Sequence, residues 1–338
     1  MRKNLNVTIV GGGFGGVKAA LELAKDRTNR VTLISDKTDF QYYPALFSAA
    51  TGHDHRQSWV PLEEIFVGKD NVTLVKDTIT SIDPSAHLLI GSRSYHYEDV
   101  ILALGSVTTY FGIEGLDTYS YGIKSQDEIK RLQAHLWDEM SDGKDDEKHY
   151  VIIGAGPTGV ELAGALGEYL RLLRRQFGIK KKRVSINLIE AAPRVLPRLS
   201  ESTSRRALRR LKKLGVHVEV NKKVERQTAN ELMVNGRPLP THTVIWTSGV
   251  MNAPFFKANE SQLPLNDRGK VKVDEFMRAA AHVYVIGDNA NTPFSGLAQT
   301  ALHDAIFVVK HLKGSTKPYR PVMPASVCLL YTSPSPRD

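Results

Sequence analysis

Two strand, glycine-turn, helix patterns in one chain predict an α/β fold with two Rossmann-like dinucleotide-binding units. The first pattern has an apolar run, VTIV (7–10), then Gly11-Gly12-Gly13-Phe14-Gly15-Gly16, then the amphipathic segment VKAALELAK (17–25). The second has YVII (150–153), then Gly154-Ala155-Gly156-Pro157-Thr158-Gly159, then a helical segment over 160–173. Each is followed downstream by a buried-strand run ending in small residues, VILALG (100–105) and TVIWTSG (243–249). Small residues at a strand's carboxyl end permit close backbone contact with a ligand.

Both turns spell G-x-G-x-x-G, and the spacing carries a mechanism. The first glycine permits the tight turn, the second lets a backbone approach a pyrophosphate, and the third lets helix and strand pack closely. The diphosphate is expected on free N–H groups at the helix N-terminus, where the macrodipole favours negative charge. A bare match would serve equally as a turn without a ligand. The strand before and the helix after make it a dinucleotide cradle.

After the first helix, VTLIS (31–35) reads as the second parallel strand, whose end should carry an acid for the ribose 2'-OH. It ends in Ser35, with Asp36 next, 25 positions after Gly11. Either Asp36 reaches the ribose or Ser35 does so more weakly; Asp36 also fits a turn cap. FQYYPALFSAATG (40–52) is too irregular for a strand and suggests a segment packed over a flat ligand or against the core. A short helix is expected over 59–66, strands at 72–75 and 78–82, and an antiparallel excursion over 87–97. Residues 125–140 have helical spacing, and SDGKDDEK (141–148) is a charged domain junction.

Beyond the second turn, Arg171, Arg174, Arg175 and the KKKR run at 180–183 make the end of the helix positive. VSINLIE (184–190) ends in the acid that 31–35 lacks. Glu190 lies 36 positions beyond Gly154, and a longer helix and loop account for the interval. A helix capped by Ser200 is expected over 200–214. Its Arg205, Arg206, Arg209, Arg210, Lys212 and Lys213 come with no aromatic platform or nucleic-acid reader motif, so they read as a solvated face rather than a nucleic-acid site. Strands are expected at 216–220 and 231–234, with Asn235-Gly236 as a hairpin signal. A turn at 266–269 precedes a strand at 271–273. HVYVIG (282–287) is a buried strand with Asp288 directly after it. Residues 297–312 read as a helix with an apolar stripe, and Pro318, Pro321 and Pro324 break any regular element beyond it.

A chain of 338 residues is long enough for two domains with real cores. The single cysteine, Cys328, excludes an internal disulfide, a Cys-x-x-Cys redox pair and a four-cysteine metal site. No metal is expected. No run approaches 18 apolar residues, so no transmembrane helix is predicted. The first strand starts so early that no signal peptide is expected. A net charge of +9 suits an anionic surface, but an ordinary solvated surface is the preferred reading. Two dinucleotides in one chain suggest electron passage between a tightly held flavin and a nicotinamide, which demands positioning rather than many catalytic side chains.

From about residue 6 to 312 the chain resembles the pyridine nucleotide-disulfide oxidoreductases, and within them the type II, non-proton-pumping NADH:quinone oxidoreductases. The resemblance is carried by IVGGGFGG (9–16), YYPALFSAATG (42–52), IIGAGPTGVELAG (152–164), VYVIGD (283–288) and GLAQTAL (296–302). It implies an NADH domain (123–250) inserted in an FAD domain (1–110 and 251–317), joined by 111–122. Gly11, Gly13 and Gly16, with Phe14, would hold the FAD pyrophosphate region, and Ser35 or Asp36 the adenosine ribose. Gly105, Gly287 and Asp288 would approach the rest of FAD, with Ala298 and Gln299 beside the isoalloxazine near a quinone tunnel. Gly154, Gly156 and Gly159 would bind NADH, with Glu190 on its ribose. Gly249 joins the cofactor-binding set, and Glu161 would stand near the nicotinamide, although a buried or helix-start carboxylate is its plainer role. Glu161 and Gln299 are the catalytic candidates.

The chain departs from that pattern at Ala165, where a second acid is usual with Glu168 one turn on, and at Ser35, where an acid is usual. Residues 328–338 look like translated adaptor sequence joined to an incomplete frame, so the tail 318–338 is expected to stand in for a missing small domain and membrane-binding helices. The implied activity is hydride transfer from NADH to FAD and electron delivery to a membrane quinone, peripheral on the cytoplasmic face. A homodimer stays open. The alternatives are a soluble NAD(P)H reductase using ferredoxin or another acceptor, and a flavin-binding sensor. Glu190 favours NADH over NADPH, while Arg194 nearby could welcome a 2'-phosphate.

Overall fold

A computed structural model describes residues 4–142, 147–179 and 184–323. Cys328, the end of the tail, the basic run at 180–183 and the middle of the charged junction lie outside them. The chain divides into two compact units. The first holds the described residues of 1–42, 59–107 and 250–325, the second those of 43–58 and 108–249.

The first unit opens with β1 (Asn6–Val10), α1 (Phe14–Ala24), β2 (Arg30–Ser35), β3 (Val72–Lys76) and β4 (Asp99–Leu102). β1 pairs in parallel with both β2 and β4, and β2 with β3. Val7, Ile9, Val10, Val100, Ile101 and Leu102 are buried, as a covered parallel sheet requires. The expected excursion is a three-stranded antiparallel meander, Ser81–Asp83, Leu88–Ile90 and Ser94–His96. Two local expectations differ. Asp39–Gln41 is a short strand, paired antiparallel with Trp59–Pro61, and the helix expected from residue 59 begins only at Leu62. Pro61 explains the boundary: proline pushes Val60 into the extended region, and its own backbone is extended (φ −52°, ψ 131°) where the helix caps.

The second unit contains α2 (Gln126–Ser141), β5 (Lys148–Ile153), α3 (Pro157–Gln176), β6 (Val184–Ile189), α4 (Glu201–Lys213), β7 (Val216–Glu219) and β8 (Thr243–Trp246). Its parallel sheet has the order β7-β6-β5-β8. Ser125 starts α2 with a capping box: its hydroxyl accepts from the Glu128 N–H, and the Glu128 carboxylate accepts from the Ser125 N–H. Ile129, Leu132, Leu136 and Met140 form its buried stripe. Leu46–Ala50 is a short helix with Leu46, Ala49 and Ala50 buried; Gln133 donates to the Ala49 carbonyl at 2.7 Å. Ser200 caps α4 by accepting from the Thr203 N–H, and all six cations between 205 and 213 are exposed. A second meander, Val224–Gln227, Glu231–Val234 and Arg237–Pro240, turns at Asn235 (φ 47°) and Gly236 (φ 69°), the two left-handed residues of a type I′ hairpin.

The first unit resumes with β9 (Arg278–Ala280), β10 (Val283–Val285) and α5 (Ala298–Leu312). β10 pairs in parallel with β4, completing the order β9-β10-β4-β1-β2-β3. α5 packs against α1. The strand expected at 271–273 forms only isolated bridges, from Val271 to Leu265 and Ala290. In both sheets the chain runs outward on one side of the central strand, β1 or β5, then returns on the other. That reversal opens a crevice at the strands' carboxyl ends. Among the described residues no helix is long and apolar enough to cross a membrane.

Candidate functional site

The two crevices are lined by the two glycine turns, and the glycines fall into two kinds. Gly11 (φ 114°) and Gly154 (φ 102°) have left-handed backbones. A methyl at Gly11 would overlap the Ala103 carbonyl, and at Gly154 it would lie 2.7 Å from Ser248 Cβ. A methyl at Gly16 would overlap the Gly11 carbonyl, and one at Gly159 the Gly154 carbonyl. The chain's own packing therefore demands the first and third glycines. The middle ones differ. Gly13 (φ −87°) and Gly156 (φ −72°) have backbones any residue can adopt, and a Cβ on either would meet nothing within 4 Å. Each is the N-cap of its helix with no side-chain cap, so first-turn N–H groups face that space. A diphosphate fits both cradles, in charge and in room.

The strand ends beside the turns are equivalent. Gly11 N–H donates to the Ile34 carbonyl and Gly154 N–H to the Ile189 carbonyl, each at 2.8 Å. Ser35 thus holds in the first unit the place that Glu190 holds in the second. Ser35 is buried and its hydroxyl accepts from the Lys37 N–H at 3.1 Å, while Asp36 is exposed beside it. The Glu190 carboxylate accepts from the Ala155 N–H at 2.7 Å and from the Ala192 N–H at 2.8 Å. Arg194 donates to the Leu196 and Pro197 carbonyls, which commits its guanidinium to backbone.

In the first unit, Gly105 and the turn Gly287–Asn289 leave the carboxyl ends of β4 and β10. Asn289, fully buried, ties them: Gly105 N–H donates to its Oδ1 at 2.9 Å, and its Nδ2 donates to the Gly105 and Asn252 oxygens at 2.5 Å each. Ser106 donates to the Asp288 carboxylate at 2.7 Å. Lys270 Nζ donates to the Asp288 carbonyl and the Ser295 hydroxyl. Phe14 packs edge-on to Phe40, ring centroids 5.0 Å apart, and 5.8 Å from Tyr42. Ala298, half-buried, opens α5; Gln299, exposed, is next. In the second unit, Thr247 donates to the Ile153 and Gly154 carbonyls, and Gly249 (φ 67°) accepts from the Thr109 N–H at 3.2 Å. Glu161 lies half-buried on α3, one turn from its start.

Sequence reasoning missed Asn252, Lys270, Asn289, Ser106 and Thr247. Asn289 directly follows the predicted Asp288, but its partner Gly105 is 184 residues away. Among the described residues no cluster of three His, Cys, Asp or Glu could hold a metal.

The pyridine nucleotide-disulphide oxidoreductase family model matches residues 5–305. Type II NADH:quinone oxidoreductase NdhA of Mycobacterium tuberculosis is 30% identical, over 92% of this chain and 73% of its own. The type II NADH:quinone oxidoreductase of Staphylococcus saprophyticus is 28% identical, over 91% and 81%. In fold, the chain is similar to NDH2 from Plasmodium falciparum in complex with NADH, with TM-score 0.77 and 21% identity over 85% of this chain; it spans 64% of that one. It is also similar to a ferredoxin reductase from Rhodopseudomonas palustris, with TM-score 0.76 and 24% identity over 94% and 78% of the two chains. FAD and NADH as cofactors are consistent with the family and with the two cradles. With two dinucleotide cradles on an α/β frame and a family match across almost its whole length, this chain belongs to the pyridine nucleotide-disulphide oxidoreductases.

Proposed function

We propose that the protein is a type II NADH dehydrogenase that binds FAD on the first cradle and NADH on the second. When bound, FAD supplies a two-electron acceptor for the nicotinamide hydride and an exit to a membrane quinone, without proton pumping. The supporting observation is the room in front of Gly13 and Gly156, which neither backbone geometry nor packing requires. The curated relatives' names support the choice of quinone. The α1 N-terminus would hold the FAD pyrophosphate and Ser35 its ribose, with Asp36 as the outer acceptor. Gly105, Gly287 and Asp288 would line the flavin side. The α3 N-terminus would hold the NADH pyrophosphate. Glu190, fixed by two backbone N–H groups, would accept from the ribose 2'-OH and repel a 2'-phosphate, and Arg194 is committed elsewhere. Glu161 and Gln299 remain the residues proposed to orient nicotinamide and acceptor. A peripheral place at the membrane surface suits a water-soluble NADH and a lipid-soluble quinone, and we assign it to the cytoplasmic face as part of this proposal.

Purified protein should be yellow and bleach on anaerobic addition of NADH. Reoxidation by a short-chain quinone, faster than by ferredoxin, is the expected result. Bleaching with reoxidation by ferredoxin alone would overturn the quinone assignment, and a flavin that NADH does not reduce would overturn the dehydrogenase.

A further inference from the structure

Asp304 lies on α5 with no exposed surface, on a buried face that otherwise holds Thr300, Ala301, Ala305, Val308, Val309 and Leu312. A carboxyl group in such a place is costly unless its oxygens are hydrogen-bonded. Both are. Oδ2 accepts from the Gly287 N–H at 2.9 Å, and Oδ1 accepts from the Tyr319 hydroxyl at 2.6 Å. Gly287 (φ 69°) is where the chain leaves β10 and enters the turn that carries Asp288 and Asn289. That turn stands at the same edge of the sheet as the first glycine turn. β10 pairs with β4, Asn289 bonds Gly105 just beyond β4, and a methyl on Gly15 would meet Ile286 at 3.0 Å.

Tyr319 comes from the segment after α5, which folds back along that helix. Its N–H donates to the Glu275 carbonyl at 2.7 Å. Its ring packs edge-on to Phe307 at 5.1 Å and tilted to His303 at 5.7 Å. His303 in turn lies 3.2 Å from the Arg320 carbonyl. These contacts hold the hydroxyl on Asp304. Burial pushes the Asp304 carboxyl above the ordinary range, against the pull of its two hydrogen bonds.

We propose that Asp304 and Tyr319 are positioning residues for the flavin: the pair fixes the Gly287–Asn289 turn in the shape that the first cradle needs to retain FAD. The inference rests on the first cradle being the FAD site. Without the carboxylate, the buried Gly287 N–H is left unpaired, the half-buried Tyr319 hydroxyl loses its acceptor on α5, and the turn is free to relax. Asparagine keeps an oxygen for the Gly287 N–H and offers its NH2 to the tyrosine oxygen. Alanine offers neither.

The test is the dissociation constant for FAD, by quenching of flavin fluorescence, on the full chain with Asp304→Ala, Asp304→Asn and Tyr319→Phe. The visible flavin spectrum and the melting temperature of the apoprotein are recorded alongside. We expect Asp304→Ala to weaken FAD by about tenfold or more and Tyr319→Phe by about threefold, with Asp304→Asn within about threefold of the parent. A blunted flavin band in Asp304→Ala, restored in Asp304→Asn, separates positioning from mere stability. If Asp304→Ala does not fold, Tyr319→Phe, which removes one hydroxyl, carries the test. Parent-like FAD binding and spectra in the folded variants, even with lowered apoprotein melting, would overturn the inference. A parent protein that binds no FAD would instead overturn the cofactor assignment itself.

Discussion

Replacing Gly13 and Gly16 by alanine, one at a time, should separate ligand binding from folding. At Gly13 the added methyl meets no atom within 4 Å and the backbone is ordinary. The fold should lose less than about 1 kcal/mol, the difference between glycine and alanine at an N-cap. The methyl does stand where the pyrophosphate belongs. Losing one charge-assisted hydrogen bond there costs about 1.5–3 kcal/mol, roughly 10- to 100-fold in FAD affinity. At Gly16 the balance reverses. Alanine favours a helix by about 1 kcal/mol, but its methyl overlaps the Gly11 carbonyl, and a backbone oxygen cannot rotate away. Overpacking of this kind costs about 3 kcal/mol, so the net loss is about 2 kcal/mol. For a unit of this size that is roughly 4–8 °C of melting temperature. Calorimetry on the apoproteins and flavin-fluorescence titrations measure the two quantities independently. Undiminished FAD affinity in Gly13→Ala, or parent-like melting of Gly16→Ala, would refute the division of the glycines into two kinds.

Gly156→Glu should abolish NADH binding by titration while the protein stays yellow, because the carboxylate fills and repels only in the second cradle. Glu190→Gln should shift the ratio of kcat/KM values toward NADPH by about tenfold; an unchanged ratio would remove Glu190 from nucleotide selection. Asn289→Ala strands the Gly105 N–H and should cost about 1–3 kcal/mol, seen as a lower melting temperature of the FAD-loaded protein. Asp77 is held to a pKa of about 2 by hydrogen bonds from the Tyr95 hydroxyl and from Ser92. Its folded-state pKa lies below the unfolded value, so its stabilisation is present above about pH 4 and is lost as pH falls through 2. Melting curves across that range should show a smaller acid loss in Asp77→Asn than in the parent.

The glycine turns were legible because their meaning is local: a few residues fix the turn, the helix start and the strand before it. The same holds for Ser125, Ser200 and Asn235-Gly236, whose partners lie within a few positions. The pairing of Asp39–Gln41 with Trp59–Pro61 was not legible, since three residues are too few to show a period and the partners are far apart. Asn289 left no trace either. Its effect is made by oxygens and N–H groups that the fold brings in from residues 105 and 252. Asp304 did leave a sign, an acid on the apolar stripe of a helix, which is costly enough to require partners. The equivalence of Ser35 and Glu190 needed the strand register, because the intervals from their first glycines, 24 and 36 positions, differ.

The split first unit has a consequence for biosynthesis. All four strands of the second sheet have been made once the ribosome has passed Trp246. The first sheet by then still exposes one edge of β4, because β10 is not made until residues 283–285 and α5 not until residue 312. Domains generally fold as units during synthesis. The cradle nearest the start of the chain therefore belongs to the sheet that is completed last.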